Sequence, residues 1–572
     1  MTPTAESNSS DRIPGRLTPP AAGTVVLMPG MVLGPLLRYV DSEQATVWVE
    51  TNAPCEVEVL GRTATTFCVY GHHYAVVCID GLEPGASYPY EVRLDGERAW
   101  PEADSEFPPS VIRTVDPDAE LRIAFGSCRV TAPHTYPHNL SVDESEYGRG
   151  NDALRTYALR MLEQDPESWP QLLFMLGDQV YADEDAPETR AFIRSRRGTD
   201  GEPGLQVADF EEYTRLYRES WSEPVVRWLL STVGVAMLFD DHDVHDDWNI
   251  SIDWVQEMRE KSWWDARITG ALVSYWVYQH LGNLAPATLR DQKLLERAHE
   301  VGDAWPMLRD WSREADWGSD GRRWSHSRSL GGVAVVFMDS REGRVLGERP
   351  RRMFDEDEWD WMKQRIKGDC DHLIVADTLP VFMPPALHDA EAWSEAVCNG
   401  AWGPAAAWAG EHLRRAMDLE HWGAFEHSFR QLTGLFADVG AGRCGEAPAS
   451  IVTLGGDIHH AYLAEVAFRR DREVTSPVWQ AVCSPYRNPL NSKEKRIARL
   501  GSTRGAEAIG RLLAKSGGVP DAQVRWKLVQ PPTFDNQIAT LTFRGRSARL
   551  RLEKATAGDD PRLETSLEHR LA

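Results

Sequence analysis

Leu172-Leu173-Phe174-Met175-Leu176 runs without interruption into Gly177-Asp178-Gln179-Val180-Tyr181. Five consecutive apolar residues are too few for a typical helix and lack the alternation of a half-exposed strand. They fit a strand covered on both faces, as in an α/β layer. In such sheets the carboxyl ends of the strands open into a crevice where ligands bind. Asp178 stands at that end, with Tyr181 three residues beyond.

The same grammar recurs along the chain. Leu121-Arg122-Ile123-Ala124-Phe125 ends in Gly126-Ser127-Cys128-Arg129, and Val235-Ala236-Met237-Leu238-Phe239 ends in Asp240-Asp241-His242-Asp243. Val333-Ala334-Val335-Val336-Phe337-Met338 precedes Asp339-Ser340-Arg341, and Leu373-Ile374-Val375-Ala376 precedes Asp377. Ile451-Val452-Thr453-Leu454 precedes Gly455-Gly456-Asp457-Ile458-His459-His460. Residues 152–164, 210–230 and 254–311 read as mainly helical between these runs. A single strand ending on Asp is ordinary, because Asp starts turns and caps helices. Repetition with different ligand types points instead to a shared shell. Carboxylates at Asp178, Asp241 and Asp457 neutralise cationic charge and can bridge two ions, and His459 offers an imidazole nitrogen. Tyr181, three residues past Asp178, is close enough for its phenol to point at the same ion, a ligand that favours a hard ferric-like cation, and Cys128 is a candidate thiolate ligand.

Before this region, short alternating runs such as Ala45-Thr46-Val47-Trp48-Val49-Glu50 and Cys55-Glu56-Val57-Glu58-Val59-Leu60 predict half-buried strands. Their close spacing predicts an all-β sandwich of immunoglobulin or fibronectin type over residues 31–116. It follows a flexible segment, 1–30, rich in Ser, Thr and Pro. The α/β domain is expected over 117–555, closed by a hairpin of Gln537–Phe543 and Ala548–Leu552. Residues 556–572 read as a polar tail.

Charge and composition narrow the function. The net charge of −25 argues against a nucleic-acid-binding face. It is compatible with a small phosphorylated substrate, since site metals invert the local field. No run is long and apolar enough to span a bilayer, and no export signal is visible, so a cytoplasmic protein is expected. No obligate protein partner is indicated. The eight cysteines form no CxxC pair and read as buried thiols.

Gly126-Ser127-Cys128, Gly177-Asp178-Gln179-Val180-Tyr181, Asp240-Asp241-His242-Asp243 and Gly456-Asp457-Ile458-His459 together resemble the alkaline phosphatase D (PhoD-like) family of metallophosphoesterases. The order, the wide spacing and the preceding β-sandwich resemble that family as well. The resemblance implies an α/β fold, a four-layer α/β sandwich, and a metal cluster of ferric iron with calcium. Without an export signal, magnesium or manganese are alternatives to calcium. It implies that Cys128, Asp178, Tyr181 and His459 hold the iron. Asp178, Asp241 and Asp457 would help hold the further ions, with Asp246 or Asp247 as additions. His242 would donate a proton or contact the phosphate. Arg129 is either a phosphoryl contact or a solvated arginine. The function so implied is metal-dependent phosphoester hydrolysis of a monoester or diester. The alternatives are a phospholipase D-like phosphodiesterase and a non-enzymatic, metal-stabilised binding protein.

Other residues carry weaker signals. Arg487, in a loop after Val478–Val482, is either a phosphate contact or an ordinary loop residue. Asp418-Leu419-Glu420-His421-Trp422 is expected near the cleft, more as structure than as ligand. His388, His412 and His427 lie outside any strand-end motif, and the aromatic run Tyr275–His280 reads as core.

Overall fold

Every continuous apolar run before a candidate ligand forms a strand. In the computed structural model, which describes residues 28–184, 186–318 and 322–572, these strands build two large sheets. One has six strands in the order Gly234–Leu238, Leu172–Leu176, Leu121–Gly126, Gln537–Arg544, Ser547–Ala555, Leu563–Arg570. Its first three are parallel and the rest antiparallel. The other has seven strands: His326–Leu330, Val333–Phe337, His372–Ala376, Ser450–Gly455, Val478–Val482, Tyr462–Phe468 and Val524–Leu528. Four of these, Val333–Phe337 through Val478–Val482, form a parallel centre.

Side chains alternate between two cores because successive residues of a strand face opposite sides. Leu172, Phe174 and Leu176 share one core with Val335, Phe337, Val452 and Leu454 of the other sheet. Phe174 and Phe337 meet there edge to face, 4.8 Å between centroids. Leu173, Met175, Val336 and Val375 face the opposite way, into a core shared with the helices. Coverage on both faces is why these runs are continuously apolar. The fold is thus mixed α/β with a β-rich N-terminal region. Among the described residues no helix is long and apolar enough to cross a membrane.

The N-terminal region contains two four-stranded sheets and is riveted to the larger domain. Arg38 donates to the carbonyls of Tyr278 (2.6 Å) and Gln279 (2.7 Å), and Trp48 Nε1 to that of Val277 (2.9 Å). These carbonyls lie in the π-helical turn Tyr275–His280, every residue of which is buried, as its aromatic sequence predicts. Nearby, His72 lies between Glu50 (2.9 Å) and Glu211 (2.9 Å), linking strand His72–Asp80 to helix Phe210–Trp221.

Burial alone would lower the His72 pKa, but the two carboxylates outweigh it and raise it to about 9. A raised histidine pKa contributes stability that is complete below the unfolded value, near 6.5, and is lost as pH rises through about 9. His72→Gln is therefore expected to cost about 1–2 kcal/mol at pH 6, allowing for solvent screening, and far less near pH 10. Urea denaturation at both pH values checks this. An equal cost at the two would remove the charged pairing.

Two sequence expectations change. Residues 556–572 are no loose tail: Leu563–Arg570 is an edge strand paired antiparallel with Ser547–Ala555. Its polarity reflects a solvated edge, held by Arg549–Glu568 (2.7 Å) and by Trp479 Nε1 donating to the Leu571 carbonyl (2.9 Å). The expected flexible segment 1–30 lies outside the described residues apart from 28–30.

Candidate metal centre

Register places the strand ends together. Leu121–Gly126, Leu172–Leu176 and Gly234–Leu238 are neighbouring parallel strands, so Cys128, Asp178 and Asp241 emerge on one edge. Ser450–Gly455 of the facing sheet supplies Asp457 and His459. The backbone there is unusual. Cys128 (φ 57°), Asp178 (51°), Asp457 (64°) and His459 (52°) all adopt the left-handed conformation. Such a conformation costs of order 1–3 kcal/mol at a non-glycine residue and persists only where the surroundings enforce it. Here Cys128 N donates to the Gly177 carbonyl (3.2 Å), Arg129 N to that of Asp178 (3.2 Å) and Arg487 N to that of Cys128 (3.1 Å).

Glycines make the approach close enough. A Cβ on Gly177 would lie 2.6 Å from Asp240 Oδ2, and φ there is 107°. A Cβ on Gly456 would collide with the Ser127 hydroxyl, which receives a hydrogen bond from Asp457 N (3.1 Å).

Asp178 is the hub. Ligand atoms of Cys128, Asp178 and His459 lie within 4.8 Å of one another, as do those of Asp178, Asp241 and His242, and of Asp178, Asp240, Asp241 and Asp457. The Tyr181 hydroxyl donates to Asp178 Oδ2 (3.0 Å) and lies 3.5 Å from His459 Nε2. Burial, joined by the charges of Asp241 and Asp457, pushes the Asp178 carboxyl well above its usual range. Burial also raises the Cys128 thiol and the Tyr181 phenol, each helped by the Asp178 charge. His459 is lowered to about 4 by burial, which leaves a neutral imidazole able to act as a ligand.

The fit to a cation can be tested on the pairing of buried atoms. Asp178 Oδ1 and Asp240 Oδ2 are buried and accept no hydrogen bond. An unpaired buried carboxylate oxygen is costly unless a cation meets it. Carboxylate, imidazole, phenol and thiol donors together fit a metal ion.

Cationic groups surround this hub as well. Arg341, fully buried, places Nη2 3.2 Å from Asp241 Oδ1 and 3.4 Å from Asp457 Oδ1, while Nε meets Asp240 and Nη1 meets Glu420 (2.6 Å). His421 joins Glu391 (2.8 Å) to Asp457 Oδ2 (3.1 Å). Burial would lower the His421 pKa, but Glu391 and Asp457 outweigh it and hold the ring charged. For Asp457 burial works upward, yet His421 and Arg341 keep it below the usual carboxylate range. The Ser484 hydroxyl donates to Cys128 Sγ (3.1 Å). Arg341 follows the strand Val333–Phe337, and an arginine at a strand end does not by its sequence reveal that it meets carboxylates. His421 sits in the run expected near the cleft, and only folding shows which atom it meets.

His242 packs against Tyr181 with the rings tilted by 33° and 4.5 Å between centroids, and its Nδ1 pairs with Asp183 (2.9 Å). Asp247 donates its backbone N–H to Asp241 Oδ2 (3.1 Å), whereas the Asp246 side chain is largely exposed, 3.7 Å from His242 Nε2.

Arg129 and Arg487 require correction. Arg129 is buried, paired with Asp152 (2.8 Å) and donating to the Ser220 carbonyl (2.8 Å). Arg487, also buried, donates to the carbonyls of Ala132, Pro133 (2.7 Å) and Gly150 (3.2 Å). Both guanidiniums tie loops of the frame together instead of facing a substrate. His388 is packed on Phe429 and Trp526, and His412 is exposed.

Residues 150–344 match the model of the PhoD-like phosphatase family, and residues 28–112 match a domain of unknown function (DUF7800). A solved structure described as that of PhoD superposes with a TM-score of 0.56 at 12% identity, covering 95% of this chain and 92% of that one. The purple acid phosphatase PPD1 from yellow lupin (Lupinus luteus) seeds superposes with a TM-score of 0.47 at 10% identity, covering 94% of this chain and 73% of that one. No curated protein matches the sequence.

Proposed function

We propose that this chain, which carries a PhoD-like phosphatase domain over residues 150–344, is a metal-dependent phosphoester hydrolase. The observation that carries the reading is the convergence on Asp178: three overlapping ligand groups, with buried carboxylate oxygens left without hydrogen bonds. Cys128, Asp178, Tyr181 and His459 would hold one ion, proposed to be ferric iron. Asp178, Asp241 and Asp457 would hold the further ion or ions, with calcium, magnesium and manganese as candidates. Such ions supply Lewis-acid activation of water and neutralise charge on the phosphoryl group.

The residues of the chain do the rest. Burial would lower the His242 pKa, but Asp183 outweighs it and raises it well above the ordinary value. A histidine kept protonated beside Asp178 and Asp241 can give its proton to the leaving alkoxide. His421 and Arg341 hold the Asp457 carboxylate in one orientation through both of its oxygens. The strained backbone at Cys128, Asp178 and Asp457 fixes those donors before any substrate arrives. For the architecture we propose the four-layer α/β sandwich and an immunoglobulin- or fibronectin-like N-terminal sandwich, supported by the two-core packing and the paired N-terminal sheets.

Protein purified without chelator is expected to hydrolyse aryl phosphate monoesters or diesters, to lose that activity with its metal on chelation, and to regain it on remetallation. A folded, metal-loaded protein that cleaves neither ester class sinks the reading. Iron bound to the Tyr181 phenolate should give a broad visible charge-transfer band that Tyr181→Phe removes. An active, colourless, iron-free protein would overturn that assignment.

A further inference from the structure

Helices Ser492–Gly501 and Arg504–Ser516 form a hairpin that exposes large apolar side chains among its charged ones. Gly510 and Ala514 of the second helix are buried, Gly510 against Ala386 of helix Pro385–Cys398. Facing away are Ile497, Leu500, Ile509 and Leu512, each more than 60% exposed. Scattered exposed apolar residues are ordinary, but four large ones on one 25-residue hairpin are not.

The charge of the hairpin is equally out of character. Between Asn491 and Ser516 the chain carries seven Lys or Arg residues against Glu494 and Glu507, within a protein whose net charge is −25. Glu494 is engaged in the capping box that starts the first helix. Arg511 and Lys515 pair with Asp389 and Asp521. Lys493, Arg496 and Arg504 form no ion pair with an acidic side chain among the described residues and are exposed. Arg496 acts on the Asp143 carboxylate without pairing to it, and among the described residues the four apolar side chains stay exposed.

We propose that this hairpin is a docking surface for an anionic lipid bilayer. Short amphipathic helices with apolar side chains on one face and Lys or Arg at its flanks lie in the headgroup boundary, and their binding sums buried apolar area with attraction to anionic lipid. The local positive charge is what lets an acidic protein approach such a surface. A neutral bilayer would supply no counterion to Lys493 and Arg504, so the surface is selective for anionic headgroups. This inference does not depend on the hydrolytic reading, since it concerns a face distinct from the metal centre.

The test is co-sedimentation of the full chain with phosphatidylcholine vesicles, with and without phosphatidylglycerol. Partitioning onto the anionic vesicles is expected to be at least about tenfold stronger and to weaken with added salt. Ile509→Ser combined with Leu512→Ser should reduce it about tenfold or more, and Arg496→Glu with Arg504→Glu should do the same by charge alone. Both pairs are exposed, and turnover of a soluble aryl phosphate should be unchanged. Absence of wild-type binding to anionic vesicles overturns the proposal, as does binding that neither pair of substitutions weakens. Light scattering supplies the rival outcome. A dimer that the Ser variant converts to monomer, without vesicle binding, would assign the face to a second copy of the chain.

Discussion

Asp178→Asn is expected to lose bound metal and phosphoester hydrolysis together, with kcat/KM falling by about 10²–10³-fold, the scale for removing one group that organises transition-state charge. Three groups of ligand atoms share Asp178 and no other residue. Its Oδ2 is also the acceptor for Tyr181, so the amide disturbs the phenol as well. The variant carries a second signature. Burial and the neighbouring Asp241 and Asp457 make the Asp178 charge unfavourable in the metal-free fold. Removing that charge should leave the metal-free variant at least as stable as the parent, judged by Tm after chelation. Inactivity caused by misfolding would lower Tm instead. Retention of full activity and metal would displace Asp178 from the centre of the site.

Arg341→Leu is expected to be the most destabilising single substitution near the site. The guanidinium is fully buried and meets Asp240, Asp241, Asp457 and Glu420. Leucine approximates its volume but leaves four carboxylates without their shared cation. Breaking a buried pair from one side costs about 3–5 kcal/mol, because the remaining charge stays desolvated. Urea unfolding of the metal-free protein measures this directly. Metal should recover part of the loss, since an ion bound only to the folded state stabilises it by mass action and neutralises the same carboxylates. If the metal-free variant proves as stable as the parent, Arg341 does not hold the cluster together.

These two residues differ in how visible they are before folding. Asp178 announces itself: a continuous apolar run stops on Gly-Asp, and the same punctuation recurs before Cys128, Asp241 and Asp457. Each of those runs is a central strand with both faces covered, and coverage on both faces is what erases the polar alternation. The roles of Arg129 and Arg487 were not visible in this way. An arginine beside a motif reads the same whether it faces solvent, a phosphate or a carbonyl, and only the packed loops show Arg487 spent on backbone oxygens. The strand Leu563–Arg570 was hidden for a related reason. At a solvated edge one face needs no apolar side chains, so its composition is that of a tail.

The sequence by itself determined that there are buried strands, where they end, and that Cys128, Asp178, Tyr181, Asp241, Asp457 and His459 stand at those ends. Those are local properties, set by apolar continuity and by the glycines that let the chain turn. Tertiary structure alone decided which ends converge, because that depends on parallel register and on how the two sheets face each other. It also decided that Arg341 and His421, drawn from loops far apart in sequence, close around the carboxylates. Concentrated negative charge cannot stay buried without cations beside it, and sequence distance carries no record of which ones fold into place.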